Sequence, residues 1–148
     1  MYRLKEASMI NNFKSNIFIL FLTTIFLGCT TISPFNETAY QQSTSIKATA
    51  LLLMNHATED VTAYSKEIDS ITLDMEKSYE YAKARPQNEE STKQWEIIKD
   101  PNKDLLGGFL KMWKDKGHLS QYFITEKKKQ VGDSFDSISK LEIKKIKK

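Results

Sequence analysis

The stretch that decides the fold covers residues 36–85 and reads NETAYQQSTSIKATALLLMNHATEDVTAYSKEIDSITLDMEKSYEYAKAR. These 50 residues contain neither glycine nor proline. Asn36 followed by Glu37 is a good N-cap and first turn. Arg85 precedes Pro86, and the residue before a proline is pushed out of the α region. The sequence therefore predicts one continuous helix, roughly 70 Å long at a rise of about 1.5 Å per residue.

Apolar residues recur along this segment with a period of seven, as at the a and d positions of a coiled coil. The two lines consist of Met54, Val61, Ile68, Met75 and Ala82, and of Ala50, Ala57, Tyr64 and Ile71. This Met54–Ala82 stripe would serve either in an oligomeric coiled coil or inside a single chain. Its mixture of residue types favours the intramolecular alternative, in which the long helix packs antiparallel against the helices after Pro101.

Shorter helices are predicted in the second half of the chain. Ser91 or Thr92 caps one that ends at Asp100-Pro101, and the same pair begins another that stops at Gly117. Ser120 caps the last helix. The sequence shows no strand alternation. We therefore predict an all-α protein, an elongated helical hairpin or small bundle built on one long N-terminal helix.

An apolar run over residues 17–27 lies upstream of this body and ends in Leu27-Gly28-Cys29. Its 11 residues are too few to cross a hydrocarbon layer of about 30 Å. They do have the length of a signal-peptide core, and Lys14 supplies the positive charge before it. The segment resembles a bacterial lipoprotein signal peptide that ends in a lipobox, with Leu27 displaced by one position.

The resemblance implies a signal peptide over residues 1–28, with Met9 as an alternative start. It further implies that Cys29 begins a lipidated tether, which covers residues 29–35. The helical pattern after this tether predicts a single α-helical domain over residues 36–148. Cys29 would carry the acyl chains, palmitate among them. Thr30 stands where an aspartate would retain such a protein at the inner membrane. The implied location is therefore the cell envelope, at the periplasmic face of the outer membrane.

Size and charge narrow the possible functions of the mature chain. Without residues 1–28, the chain of 148 residues leaves 120, enough for one domain. The leader holds three of the 22 basic and one of the 19 acidic residues, so 19 and 18 remain. This balance gives no argument for nucleic-acid binding. With Cys29 acylated, the body has no thiol for a disulfide, a zinc cluster or a nucleophile.

The C-terminal segment is rich in lysine, with eight lysines from residue 127 onward against three acidic residues. They would form a solvated helix end that complements the helix dipole, or would contact anionic lipid head groups.

Large aromatic side chains are concentrated in one short segment, at Trp95, Phe109 and Trp113. Such residues dominate both protein cores and interface hot spots. They are candidates for a partner surface, and core packing is the alternative. Gly107-Gly108 falls inside a predicted helix, where each glycine costs about 1 kcal/mol. Close approach of the long helix would explain the pair, and a docking notch is the other explanation.

His56 has Glu59 and Asp60 at helical spacings, which superficially resembles a metal or acid–base cluster. Neither HExxH nor GxSxG occurs in the sequence. A solvated histidine on a polar helix face is the better interpretation, and we predict no catalytic residue, no metal and no cofactor.

The residues from Thr92 to Trp113 also resemble uncharacterised bacterial lipoproteins, which brings no activity. Our leading hypothesis is therefore a non-enzymatic envelope lipoprotein, structural or binding another envelope protein. The alternative is an envelope hydrolase that acts on peptidoglycan or lipid. A deep pocket that gathers His56 with carboxylates would favour the hydrolase. A flat apolar groove from Trp95 to Trp113 would favour binding.

Overall fold

The computed structural model describes residues 32–147, and five α-helices account for most of that range. They are α1 (Glu37–Met54), α2 (Ser65–Ala84), α3 (Glu89–Lys99), α4 (Leu106–Lys116) and α5 (Gln121–Lys144). Two short 3₁₀ turns lie at Val61–Tyr64 and Lys145–Lys147. No strand occurs within residues 32–147, so the prediction of an all-α small bundle is confirmed.

The prediction of one long N-terminal helix is wrong, because the chain turns back after Met54. Asn55, His56 and Asp60 are weak helix formers. The Asp60 side chain instead caps the following turn, accepting a hydrogen bond from the Thr62 N–H at 2.8 Å. Two backbone bonds join the turn to the loop after α4: Leu119 N–H to Ala57 O at 2.7 Å and Val61 N–H to Gly117 O at 2.9 Å. These long-range hydrogen bonds therefore stabilise a turn at a place where the sequence pattern alone predicts a continuous helix.

Four of the helices form a closed ring in which neighbours run antiparallel. α1 lies beside α5, as shown by the Ser43–Ser139 hydroxyl pair at 3.0 Å and the Lys47–Asp136 ion pair at 2.5 Å. α1 also packs against α2, α2 against α3, and α3 against α5. The predicted antiparallel packing against a helix after Pro101 therefore holds for α1 and α5. The shorter α4 ends near the first turns of α2, where Lys114 pairs with Asp69 at 3.3 Å.

This ring has two ends, to which we give names. The tether pole consists of residues 32–36, 85–91 and 142–146, where α1 begins and α5 ends. The far pole consists of residues 55–64 and 117–122, where α1 ends and α5 begins. At about 1.5 Å per residue, the 24 residues of α5 separate the poles by roughly 35 Å.

The Met54–Ala82 stripe lies in the core in spite of the break. Seven of its members are buried, and Val61 and Tyr64 pack partly buried against the same cluster; the seven are Ala50, Met54, Ala57, Ile68, Ile71, Met75 and Ala82. The intramolecular interpretation is confirmed. The stripe is therefore not available as the surface of an oligomeric coiled coil.

The predicted helix boundaries hold in most places. Asn36 accepts a hydrogen bond from the Ala39 N–H at 2.8 Å, and Ser120 accepts one from the Phe123 N–H at 3.3 Å. Gly117 closes α4 with φ of 78°, a left-handed conformation that glycine adopts without strain. The start of α3 differs from the prediction, because this helix begins at Glu89 and not at Ser91 or Thr92.

The glycine pair lies in the first turn of α4 and not in the middle of a helix that starts at Pro101. A Cβ on Gly107 would come within 2.6 Å of the carbonyl carbon of Lys99. On Gly108 it would lie 3.0 Å from the carbonyl carbon of Lys103, and closer still to the oxygen. Close backbone approach therefore explains both glycines, but the approaching backbone is the preceding turn and not the long helix.

Candidate functional site

The predicted anchor, Cys29, lies outside the described residues, together with the signal peptide, Met9 and the first residues of the tether. Among the helices within residues 32–147, none is both long and apolar enough to cross a membrane.

The structure buries all three aromatic candidates for a partner surface. Trp95 and Phe109 are each 2% exposed and Trp113 is fully buried. Trp95 meets the ring of Phe135 edge-on at 5.7 Å, and the rings of Phe109 and Phe123 stack at 6.2 Å. These contacts correct the partner-surface prediction in favour of core packing: helices this small fill their shared interior with their largest side chains.

Two polar side chains, those of His56 and Tyr64, lie around the Glu59 carboxylate at the far pole. The His56 Nδ1 lies 2.8 Å from one carboxylate oxygen, and the Tyr64 hydroxyl donates to the other at 2.6 Å. The same hydroxyl lies 2.9 Å from His56 Nδ1, and the two rings stack at 4.8 Å. Behind them the Trp113 Nε1–H donates to the backbone carbonyl of Glu59 at 3.2 Å. The cluster ties a surface turn to the core.

The exposure of this cluster decides what it can do. The side chains of His56 and Glu59 are 49% and 55% exposed. Solvent screens the charges of groups in such a position. Their hydrogen bonds are directed to one another across the turn that reverses the chain. His56 is therefore solvated, as predicted, although it lies in a turn and not on a helix face. Within residues 32–147, no group of acidic or histidine side chains is placed to hold a metal ion.

Hydrogen bonding to Glu59 should be visible in the titration of Tyr64. The carboxylate, first through its hydrogen bond, raises the pKa of Tyr64 to about 12, while hydrogen bonds from Tyr64 and His56 lower the pKa of Glu59. The hydrogen bond from Tyr64 to Glu59 should therefore contribute its full stabilisation of the fold below a pH of about 10. This contribution should be lost as the pH rises through about 12. We expect the ultraviolet absorbance titration to contain a late component from Tyr64, and Glu59→Gln to return the pKa of Tyr64 toward its ordinary value of 10.

In that titration the variant Tyr64→Phe should lack the late component and leave the others in place. A wild-type curve without a component above pH 11 would contradict the Glu59–Tyr64 bond, since a free phenol titrates at about 10.

The tether pole contains the most deeply buried charge in the described chain. Glu142 is fully buried near the end of α5. Its Oε1 accepts hydrogen bonds from Arg85 Nη1 at 3.1 Å and from Lys145 Nζ at 2.5 Å. Its Oε2 lies 3.3 Å from the Asn36 N–H, which donates to it at the start of α1. A buried carboxylate needs such partners, because leaving one unpaired costs several kcal/mol.

A second layer of bonds joins the chain segment before α1 to this charge cluster. The Ser33 hydroxyl donates to Asn88 Oδ1 at 2.9 Å, and Lys145 Nζ donates to the same oxygen at 2.7 Å. Arg85 Nη2 donates to the Pro34 carbonyl at 2.6 Å. The Ser33 N–H also donates to the Gln87 carbonyl at 3.0 Å. Ser33 is 2% exposed, so the chain is fixed to the bundle four residues before α1 begins.

No local sequence pattern predicted this charge cluster. Asn36 and Glu142 are 106 residues apart, and Arg85 and Glu142 are 57 apart. Arg85 had a predicted role only as the residue before a proline. Residues 32–35 are the described part of the predicted tether. They are held against the bundle by the buried Ser33 and therefore do not form a free linker.

No protein-family model, curated protein or solved structure matches this chain.

Proposed function

We propose that the protein is a bacterial envelope lipoprotein, anchored by acyl chains on Cys29, whose helical domain is a non-enzymatic structural or protein-interaction module. The observation that carries this proposal is the order of features before the domain. Lys14, an apolar run of 11 residues and Gly28-Cys29 follow one another, and polar sequence begins directly afterwards. The proposed location is the periplasmic face of the outer membrane.

The burial of Ser33 supports a function for which the domain must stay at the membrane surface. The domain begins immediately after the proposed anchor, because only three residues separate Cys29 from the buried Ser33. A long flexible linker would let a domain search for distant partners. A short connection to a buried residue instead holds the domain at the membrane surface, as suits a module that acts there.

The alternative, an envelope hydrolase, has one supporting observation in the His56–Glu59 pair at 2.8 Å. Catalytic acid–base pairs work best where water is excluded, and both of these side chains are about half exposed. The interaction module is therefore the better-supported function. A hydrolase using His56 would cleave isolated peptidoglycan or phospholipid and lose that activity in His56→Gln, whereas the module would show none to lose.

The anchor gives the most direct test of the proposal. In cells fed an alkyne analogue of palmitate, we expect the wild-type protein to take up the label and to fractionate entirely with membranes. Each buried CH₂ contributes about 0.8 kcal/mol, and two or more chains hold a protein essentially permanently. High salt should not release it, because an apolar attachment is not screened. Cys29→Ala should take up no label and accumulate as the unprocessed precursor.

Thr30→Ala is the matched control, because it changes the neighbouring residue and keeps the acceptor sulfur. An unlabelled wild-type protein, or equal labelling of Cys29→Ala, would show that the protein is not a lipoprotein. Crosslinking of the labelled protein in the intact envelope would then identify the partner.

A further inference from the structure

Exposed apolar side chains gather at the tether pole. Within residues 32–147, eight large hydrophobic residues are exposed. Half of them belong to the two chain segments that meet at this pole: Ile32, Phe35, Ile143 and Ile146. Their exposed fractions run from 36% to 61%. The other four are dispersed along the helices and at the far pole, where single exposed apolar residues need no explanation.

Contacts between backbone and side chains bring these two segments together. The Asn36 N–H donates a hydrogen bond to the Glu142 carboxylate at 3.3 Å. Phe35 directly precedes Asn36 in the chain, and Ile143 directly follows Glu142. Ile146 follows Ile143 by three residues in helical conformation, and residues at that spacing share one face. Ile32 adjoins Ser33, which bonds to Asn88 and accepts from Arg85. Phe35, Ile143 and Ile146 are therefore next to cluster residues in the chain, and Ile32 is next to Ser33, which is bonded to the cluster.

Charged groups of both signs lie at and next to this pole. In the buried cluster one carboxylate, Glu142, faces the two cations of Arg85 and Lys145, which leaves a positive excess. Lys140 and Lys144 are exposed on the last turns of α5, beside Ile143. Lysine side chains next to apolar residues can extend their ammonium groups to phosphates while their methylenes stay among lipid. Exposed glutamates lie at positions 89 and 90 of this pole and at the adjoining position 37, so these cations and carboxylates balance in number.

The length of chain before the domain determines which surface this pole can reach. Ile32 follows Cys29 by three residues, so at roughly 3.5 Å per residue the chain spans at most about 10 Å between them. The head-group layer on one side of a bilayer is about 5–8 Å thick. A domain anchored at Cys29 therefore has its tether pole next to the head groups, and the bonds of Ser33 prevent that connection from lengthening.

We propose that the tether pole docks on the phospholipid bilayer, with Phe35, Ile143 and Ile146 inserted at the head-group level and the far pole directed away from the membrane. This inference rests on the proposed acylation of Cys29. Acylation attaches the domain to the membrane, and the docked pole would in addition fix the orientation of the domain. The far pole, with the His56–Glu59–Tyr64 cluster, is then the part of the domain presented to a partner at roughly 35 Å from the membrane.

The chain is well suited to a site-specific test, because Cys29 is its only cysteine and its sulfur is acylated in the mature lipoprotein. A cysteine introduced elsewhere in the full-length chain is then the only free thiol. The purified lipoprotein variants Ile146→Cys and Phe35→Cys would be labelled with a nitroxide and reconstituted into vesicles of phosphatidylethanolamine and phosphatidylglycerol. The matched control is Tyr122→Cys, a 79% exposed apolar position at the other end of α5.

Power-saturation spectra report the access of oxygen and of a water-soluble nickel chelate to each label. We expect oxygen access at positions 35 and 146 to rise in vesicles, with nickel access several-fold lower than at position 122. Equal nickel access at all three positions in vesicle-bound protein would overturn the docking proposal and leave the anchor intact. Shielding from both reagents at position 146 would also overturn it, because protein and not lipid would then cover the pole.

Failure of the proposed function would have a different signature. A protein that takes up no palmitate analogue and does not sediment with the vesicles would refute the anchor, and the docking proposal with it. The two failures are therefore distinguishable.

Discussion

Replacement of Glu142 by alanine is expected to lower the free energy of unfolding by about 3–5 kcal/mol, the cost of breaking a buried ion pair from one side. The substitution leaves Arg85 and Lys145 partnerless on the carboxylate side, in a site where their side chains are 13% and 7% exposed. It also removes the acceptor of the Asn36 N–H. Urea denaturation followed by circular dichroism would measure the change.

Two further variants separate the burial of unpaired charge from the loss of packing. Glu90→Ala removes an exposed carboxylate at the same pole, and its effect should stay within about 0.5 kcal/mol. A triple variant with leucine at positions 85, 142 and 145 removes all three charges together and should recover much of the loss, because apolar replacements of whole buried clusters are often neutral. A Glu142→Ala variant as stable as the wild type would contradict the buried position of the carboxylate.

Replacement of Trp113 by alanine should have an effect of similar size, about 3–5 kcal/mol. The indole is fully buried, packs 5.5 Å from the Tyr64 ring and donates its N–H to the Glu59 carbonyl. The variant therefore loses a large apolar contact and also leaves a carbonyl of the far-pole turn without its partner. Thermal and urea unfolding of the purified protein would measure the loss of stability.

Trp113→Phe is the matched variant, since it keeps most of the ring and removes the N–H donor. Its cost should be nearer 1 kcal/mol, the usual size of one hydrogen bond. Tyr122→Ala, at a 79% exposed ring, should change stability by less than about 0.5 kcal/mol. Unchanged stability in Trp113→Ala would return that side chain to the candidates for a partner surface.

The sequence predicted the helical class and most helix ends because those depend on neighbouring residues. Asn36, Gly117 and Ser120 act within one turn of their own position, and their roles in capping follow from local chemistry. The heptad stripe predicted the core for a similar reason. Its residues stay buried whether the helix continues or folds back, so the pattern could not reveal the break after Met54.

The break and the tether pole depend on distant residues, which is why sequence reasoning missed both. The turn at Ala57 is held by Leu119, 62 residues further on. The Glu142 cluster brings together chain segments that share no local pattern. The aromatic candidates were misleading for another reason: tryptophan and phenylalanine enrich cores and interfaces alike, and composition alone does not separate the two.

The bonds of Ser33 also determine how the domain would respond to mechanical load. Tension on the chain before Ile32 enters at Ser33, where it is passed to the α2–α3 connection through Asn88 and Gln87. Through Arg85 and Glu142 the same load reaches the end of α5. Three chain segments would thus share a pull that arrives on one, and α1 cannot be peeled from its N-terminus until the charged cluster has ruptured.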